Sequence, residues 1–144
     1  MSRKKIALIG GGQIGGNLAL IAAQKELGDI TIFDIPQSDG MIKGKALDLM
    51  QLCPHDGYDT TIKGTSKWTD LKDTDLFIIT AGVPRKPGMN REDLLGINLG
   101  IIKNVAENIK EQSPNSFVIV ISNPVSTKLP ALVVNTDVLV LETT

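Results

Sequence analysis

The stretch KIALIGGGQIGG, residues 5–16, carries an apolar run directly into a glycine-rich turn. The apolar run predicts a strand over residues 4–9 that is buried on both faces. After the turn, apolar residues recur at helical spacing, which predicts a helix that ends at Gly28. A buried strand joined to a helix by a short turn is the opening unit of a parallel α/β sheet.

The same alternation of apolar strands and amphipathic helices continues along the chain. We expect strands at residues 30–34, 58–63, 76–80 and 117–121, and helices at residues 43–52, where Pro54 breaks the helix, and 91–112. Apolar strands separated by helices indicate a parallel sheet covered on both faces. The sequence therefore predicts an α/β fold of the Rossmann type, a doubly wound parallel sheet in a single domain.

Composition excludes several other classes of protein. The 144 residues are 42% hydrophobic and 22% charged, with a formal net charge of -1, so the chain has no basic footprint for nucleic acid. No run of residues is long and apolar enough for a membrane span, and no signal peptide is recognisable. With one cysteine and one histidine, the chain can form neither an internal disulfide nor a structural zinc site, and we expect no metal. A reduced, cytoplasmic location is expected.

The glycine turn and one later aspartate together indicate a nucleotide site. Gly10, Gly12 and Gly15 have the spacing of the dinucleotide fingerprint, which lets the backbone approach a pyrophosphate at a helix N-terminus. Asp34 ends the second strand, 19 residues after Gly15 and close to the spacing of about 20 at which an acid binds the ribose hydroxyls and repels a 2′-phosphate. Each feature alone also fits a plain turn. Together they favour NAD over NADP.

The loop at residues 81–91 and the Asn-Pro pair after the last strand are candidate substrate-binding segments. Both follow carboxyl ends of strands, where open α/β sheets bind ligands. Arg85 and Arg91 could each present a planar guanidinium to a carboxylate, and the amide of Asn123 could hold a ligand oxygen. A solvated charged loop and a simple Asn-Pro turn are the alternatives.

Five stretches resemble the cofactor domain of NAD-dependent malate dehydrogenases, and most of all their bacterial branch that is similar to lactate dehydrogenases. They are IGGGQIGG at 9–16, IFDI at 32–35, KGKALDL at 43–49, TAGVPRKPGMNREDLL at 80–95 and ISNPV at 121–125. The resemblance covers about residues 3–125. It implies this cofactor-binding set: Gly10, Gly11, Gly12, Gln13, Ile14, Gly15, Asp34, Thr80, Ala81, Gly82, Asn98, Ile121 and Asn123.

The resemblance also implies a substrate and a reaction. Malate and NAD would give oxaloacetate and NADH, with Arg85 facing the second carboxylate, where lactate dehydrogenases carry glutamine. Arg91 would polarise the reacting carbonyl, and Asn123 would contact the substrate. A small dicarboxylate buried under a loop needs a cation for each charge, which supports the assignment of Arg85 to the second carboxylate. The family forms homo-oligomers, while the sequence leaves the state of this chain open.

Three catalytic groups of the family have no counterpart in the sequence. The proton-donating histidine, its aspartate partner and a further arginine come from the part that follows Asn-Pro, so we expect the C-terminal catalytic domain to be absent. The single histidine, His55, is expected in a surface loop away from the cofactor, and Cys53 as a small buried apolar residue. We therefore expect little activity from the chain alone, and no catalytic residue present.

The end of the chain departs from the family pattern. We predict an NAD-binding Rossmann domain over residues 1–125 and a divergent tail over residues 126–144, in which 131–134 and 138–141 are strand-like. One alternative from another functional class is a non-catalytic regulatory module that binds NAD(H). Such a module has no need of a loop with two arginines, which favours the dehydrogenase.

Overall fold

The computed structural model describes residues 3–84, 87–88, 90–121 and 138–140. Its centre is one parallel sheet of six strands in the order β3-β2-β1-β4-β5-β6. The strands are β1 Lys5–Ile9, β2 Asp29–Phe33, β3 Ile62–Thr65, β4 Leu76–Ile79, β5 Phe117–Val120 and β6 Val138–Val140. From β1 the next strands in the chain are added on one side of the sheet, and from β4 onward they are added on the other side. This change of side between β1 and β4 confirms the doubly wound sheet of the Rossmann type.

Three long helices cover the two faces of the sheet. They are α1 Gln13–Gln24, α2 Asp39–Asp56 and α3 Arg91–Gln112. On one face, α1 and α2 bury small and branched side chains such as Ala23 and Ile42 against β1 and β2. On the other face, α3 packs Val105 and Ile109 against Phe77 of β4. The central strand β1 is thus buried on both faces over residues 6–9, as its continuous apolar sequence predicts.

The first helix is shorter than the sequence predicts. It ends at Gln24 rather than at Gly28, and the chain then turns through Glu26, whose φ is 49°. Gly28 has a different role, because a Cβ there would overlap the carbonyl oxygen of Lys4. The glycine allows the close approach with which β2 enters the sheet beside β1.

The second helix is longer than predicted, since it begins at Asp39 and runs through Pro54 to Asp56. The expectation that Pro54 breaks the helix is wrong. Proline removes one backbone N–H, but here it lies in the last turn, and Gly57 then ends the helix with a φ of 76°. Burial of Cys53, whose thiol lies 3.6 Å from the carbonyl oxygen of Thr60, holds this turn against the sheet and confirms the buried position predicted for the cysteine.

The third strand lies later than residues 58–63. Ile62 is paired with Ile30, and Thr65 with Phe33, so the limits of β3 are those of its pairing with β2. Tyr58 instead packs in the core ahead of the strand and donates its hydroxyl to the carbonyl of Leu49 at 3.1 Å. Burial raises the pKa of the Tyr58 hydroxyl to about 12.

The strand-like pattern at residues 138–141 is confirmed over residues 138–140, where β6 extends the sheet beside β5 in parallel. Residues 126–137 and 141–144 of the predicted tail lie outside the described residues. Among the described residues, no helix is both long enough and apolar enough to cross a membrane.

Candidate dinucleotide site

The glycine turn between β1 and α1 is built by close backbone contacts. Gly10 has a φ of 110°, and its N–H donates to the carbonyl of Phe33 at 2.9 Å. A Cβ on Gly10 would lie 2.8 Å from Oγ1 of Thr80 and 2.9 Å from the amide nitrogen of Ala81. A Cβ on Gly15 would overlap the carbonyl oxygen of Gly10 itself. Glycine at both positions is therefore required by the fold.

Gly12 stands in a different environment from those two glycines. It precedes α1 in an extended conformation, with φ −66° and ψ −155°, that any residue can adopt. None of the described residues places an atom within 4 Å of a Cβ built at this position. The space above Gly12 is thus open, at a helix N-terminus whose first N–H groups have no acceptor within the helix. A diphosphate fits such a place, because both the open space and the N–H groups favour it.

Asp34 follows β2 and its carboxylate lies against the glycine turn. The N–H of Gly11 donates to Oδ2 at 2.7 Å, and the N–H of Ile35 donates to Oδ1 at 2.8 Å. A carboxylate has about four acceptor positions, so these two bonds leave capacity for the hydroxyls of a ribose. The residues present therefore fit a dinucleotide that spans from the glycine turn to Asp34.

The other described members of the predicted set lie at the same carboxyl edge of the sheet. The hydroxyl of Thr80 donates to the carbonyl of Gly10 at 3.1 Å, and the N–H of Ile121 donates to the carbonyl of Ile79 at 2.8 Å. Ala81 and Gly82 continue from Thr80, while Gln13 and Ile14 form the first turn of α1. The structure thus brings Gly10 to Gly15, Asp34, Thr80 to Gly82 and Ile121 to one edge.

Asn98 lies in α3 and is 2% exposed. Its side-chain oxygen accepts the N–H of Val83 at 2.8 Å. The contact ties α3 to the segment that leads into the arginine loop. Its predicted contact with the cofactor stays a prediction.

Three predicted substrate residues cannot be placed by the structure. Arg85 and Asn123 lie outside the described residues, and Arg91 begins α3 but its side chain is not described. Their roles stay predictions.

The single histidine lies at the opposite edge of the sheet. His55 is in the last turn of α2, which runs back toward the amino ends of the strands, and its side chain is 83% exposed. The expectation of a loop is wrong in detail, but its exposed position is confirmed. Nδ1 of His55 lies 2.9 Å from Oδ1 of Asp56, and this hydrogen bond, followed by one from Gln24, lowers the pKa of Asp56.

Two residues beside the site are not members of the predicted cofactor-binding set. Lys45 of α2 directs its ammonium to the carbonyls of Gly11 and Gly12, and Gly16 lies beside the lysine side chain. A lysine within a predicted helix gives no sequence signal of such a contact. Only the packing of α2 beside the turn reveals the contact.

A parallel sheet of this order, with a glycine turn closed by an aspartate, defines a dinucleotide-binding α/β domain. The family model for the lactate/malate dehydrogenase NAD binding domain matches residues 4–141. The chain belongs to this family, which confirms the resemblance seen in the sequence and NAD as the cofactor. The match extends past residue 125, and a domain boundary there stays a prediction.

Named relatives agree with the family. A malate dehydrogenase of Myxococcus xanthus is 60% identical over 130 residues, which are 90% of this chain and 41% of that protein. The apo malate dehydrogenase of Picrophilus torridus superposes with a TM-score of 0.81 at 47% identity, over 85% of this chain and 39% of that one. A Cryptosporidium parvum lactate dehydrogenase complexed with lactic acid and nicotinamide adenine dinucleotide superposes with a TM-score of 0.78 at 43% sequence identity, over 86% of this chain and 38% of that one. The chain thus spans about two fifths of these relatives.

Proposed function

We propose that this chain is the NAD-binding domain of a malate dehydrogenase, an enzyme that converts malate and NAD⁺ into oxaloacetate, NADH and a proton. When bound, NAD supplies the hydride acceptor. The chain's own residues bind and orient that cofactor at the carboxyl edge of the sheet. The bond from the Gly11 N–H to Asp34 carries the proposal, because it joins the pyrophosphate turn to the ribose acid.

The malate part of the proposal rests on similarity and on the loop sequence. The Myxococcus relative at 60% identity is a malate dehydrogenase. We propose that Arg85 binds the carboxylate distal to the reacting carbon, that Arg91 polarises the carbonyl, and that Asn123 contacts the substrate. A dicarboxylate held away from water needs a cation for each charge, because an unpaired buried charge is strongly unfavourable, and Arg85 would supply the cation for the distal carboxylate.

Replacing the ribose acid tests the cofactor site. We expect Asp34→Ala to weaken NADH binding about tenfold and to narrow the preference for NADH over NADPH, because the carboxylate no longer repels a 2′-phosphate. Calorimetric titration of both nucleotides measures this. Asp48→Ala, at an exposed aspartate of α2, is the matched control and should bind as the parent does. Equal affinities for Asp34→Ala and the parent would overturn the proposed site.

The proton-transfer step gives a second test. General acid catalysis raises a rate by a factor of about 10²–10⁴. The single histidine of the sequence, His55, lies at the edge of the sheet opposite the cofactor site. We expect the 144-residue chain to reduce oxaloacetate below about 0.01 s⁻¹, against about 10 s⁻¹ for a typical enzyme. Loss of NADH absorbance measures the rate, and His55→Ala should leave any residual rate unchanged. Turnover at ordinary enzyme rates would show that another group donates the proton.

We also propose a cytoplasmic location and assembly into homo-oligomers. The location is supported by cysteine usage, with one buried thiol among 144 residues. Assembly is supported by family membership.

A further inference from the structure

A lysine of α2 contacts the glycine turn that opens α1. The ammonium of Lys45 lies 2.5 Å from the carbonyl oxygen of Gly11 and 2.9 Å from that of Gly12. Both contacts join residues more than thirty positions apart in the chain, so they depend on the packing of α2 beside α1. A fixed positive charge therefore lies beside the turn.

The path of this lysine is shaped by a glycine that the dinucleotide fingerprint does not include. Gly16 is buried in α1, and a Cβ there would lie 3.0 Å from Cδ and 3.1 Å from Nζ of Lys45. That separation is tighter than ordinary side-chain contacts, so a larger residue would displace the lysine. The glycine and the lysine thus form one arrangement, supported by packing as well as by hydrogen bonds.

The two hydrogen bonds orient two peptide groups. In a trans peptide the carbonyl and the following N–H point in opposite directions. Because the carbonyls of Gly11 and Gly12 point toward Lys45, the N–H groups of Gly12 and Gln13 point away from it. These N–H groups are among the first of α1, where the helix itself supplies no acceptors. The carbonyl of Gly12 also accepts the N–H of Gly16 at 3.0 Å, so α1 shares in orienting the N–H of Gln13. Lys45 is the side chain that bonds the carbonyl of Gly11, and it thereby orients the N–H of Gly12 at the border of the open space.

We propose that Lys45 is a positioning residue for the pyrophosphate of the dinucleotide. It holds the carbonyl oxygen of Gly11 away from the anion, which that oxygen would repel, and helps the Gly16 N–H to hold that of Gly12, so that the two following N–H groups stay turned toward the anion. It also adds a full charge to a helix N-terminus whose first turn is uncharged. The inference rests on the proposed NAD site and assigns that site a residue outside its glycines and acid.

The experiment compares lysine variants by titration with three probes: NADH, ADP-ribose and adenosine, which lacks phosphate. Lys45→Met keeps the stem but removes the charge and the donors, and should weaken NADH and ADP-ribose about tenfold. Lys45→Arg keeps both and should restore much of the affinity. Lys43→Met is the matched control, because Lys43 lies on the same helix but pairs with Asp39 at 2.6 Å. It should bind within about twofold of the parent.

Two measurements separate a positioning role of Lys45 from a structural one: the affinity for adenosine and the response of the backbone amide NMR signals to ADP-ribose. We expect the affinity for adenosine to be unchanged in Lys45→Met, while the signals of Gly12 and Gln13 respond less to ADP-ribose than in the parent. Equal weakening of adenosine and ADP-ribose would mean general loosening of the fold and would overturn the inference. If Lys45→Met does not fold, Lys45→Gln is titrated with the same expectation.

The outcomes also separate this inference from the proposed function. If the parent chain does not bind NADH, the proposed function and the role of Lys45 both fail. If the parent binds and Asp34→Ala weakens NADH while Lys45→Met leaves it unchanged, the NAD site stands and the role of Lys45 alone is overturned.

Discussion

Gly15→Ala is expected to destabilise the chain by about 3 kcal/mol, and to lower Tm by about 10 °C. The added Cβ would overlap the carbonyl oxygen of Gly10, which is backbone and cannot rotate aside. Relief requires α1 to move away from β1, where Ala19 and Ala23 pack in the core. The gain of about 1 kcal/mol in helix propensity from alanine is smaller than this cost.

Chemical denaturation of Gly15→Ala beside Gly44→Ala measures the effect. Gly44 also lies within a helix, but none of the described residues has an atom within 4 Å of a Cβ built there. We therefore expect Gly44→Ala to stabilise the chain by about 0.5–1 kcal/mol. Equal stability of the two variants would mean that the close approach of α1 to β1 is wrong.

Gly12→Ala is expected to produce the opposite pattern, with stability retained and binding lost. The backbone at Gly12 suits alanine, and the new methyl group meets open space, so the free energy of unfolding should change by less than about 0.5 kcal/mol. The same methyl occupies the space proposed for the pyrophosphate. We expect NADH affinity to fall about 30-fold, or about 2 kcal/mol.

Two measurements on Gly12→Ala, a denaturation curve and an NADH titration, check this expectation. Gly44→Ala is again the control, since its added methyl group would have none of the described atoms within 4 Å and the variant should bind NADH as the parent does. A Gly12→Ala variant that is stable and retains full NADH affinity would place the pyrophosphate elsewhere. The contrast between Gly15 and Gly12 separates a glycine required for packing from one required for ligand approach.

Much of the nucleotide site follows from local sequence. A buried strand, a tight turn and a helix start are neighbours in the chain, so Gly10, Gly12 and Gly15 are interpretable by spacing alone. Asp34 is recognisable because a parallel sheet brings the carboxyl ends of β1 and β2 to one edge. The bond from the Gly11 N–H to Asp34 then follows from adjacent strands in register.

The tertiary structure decided the features that depend on neighbours distant in the chain. A proline ends or kinks most helices, yet Pro54 lies in the last turn of α2, which continues to Asp56 with Cys53 buried in the core. The limits of β3 follow from pairing with β2, which its own weak apolar pattern does not reveal. The contact of Lys45 with the glycine turn depends on the packing of α2 beside the turn, which local sequence does not show. Sequence by itself therefore determined the fold class and the fingerprint, because both rest on short-range periodicity and spacing, whereas tertiary packing alone brought a charge from α2 to the turn.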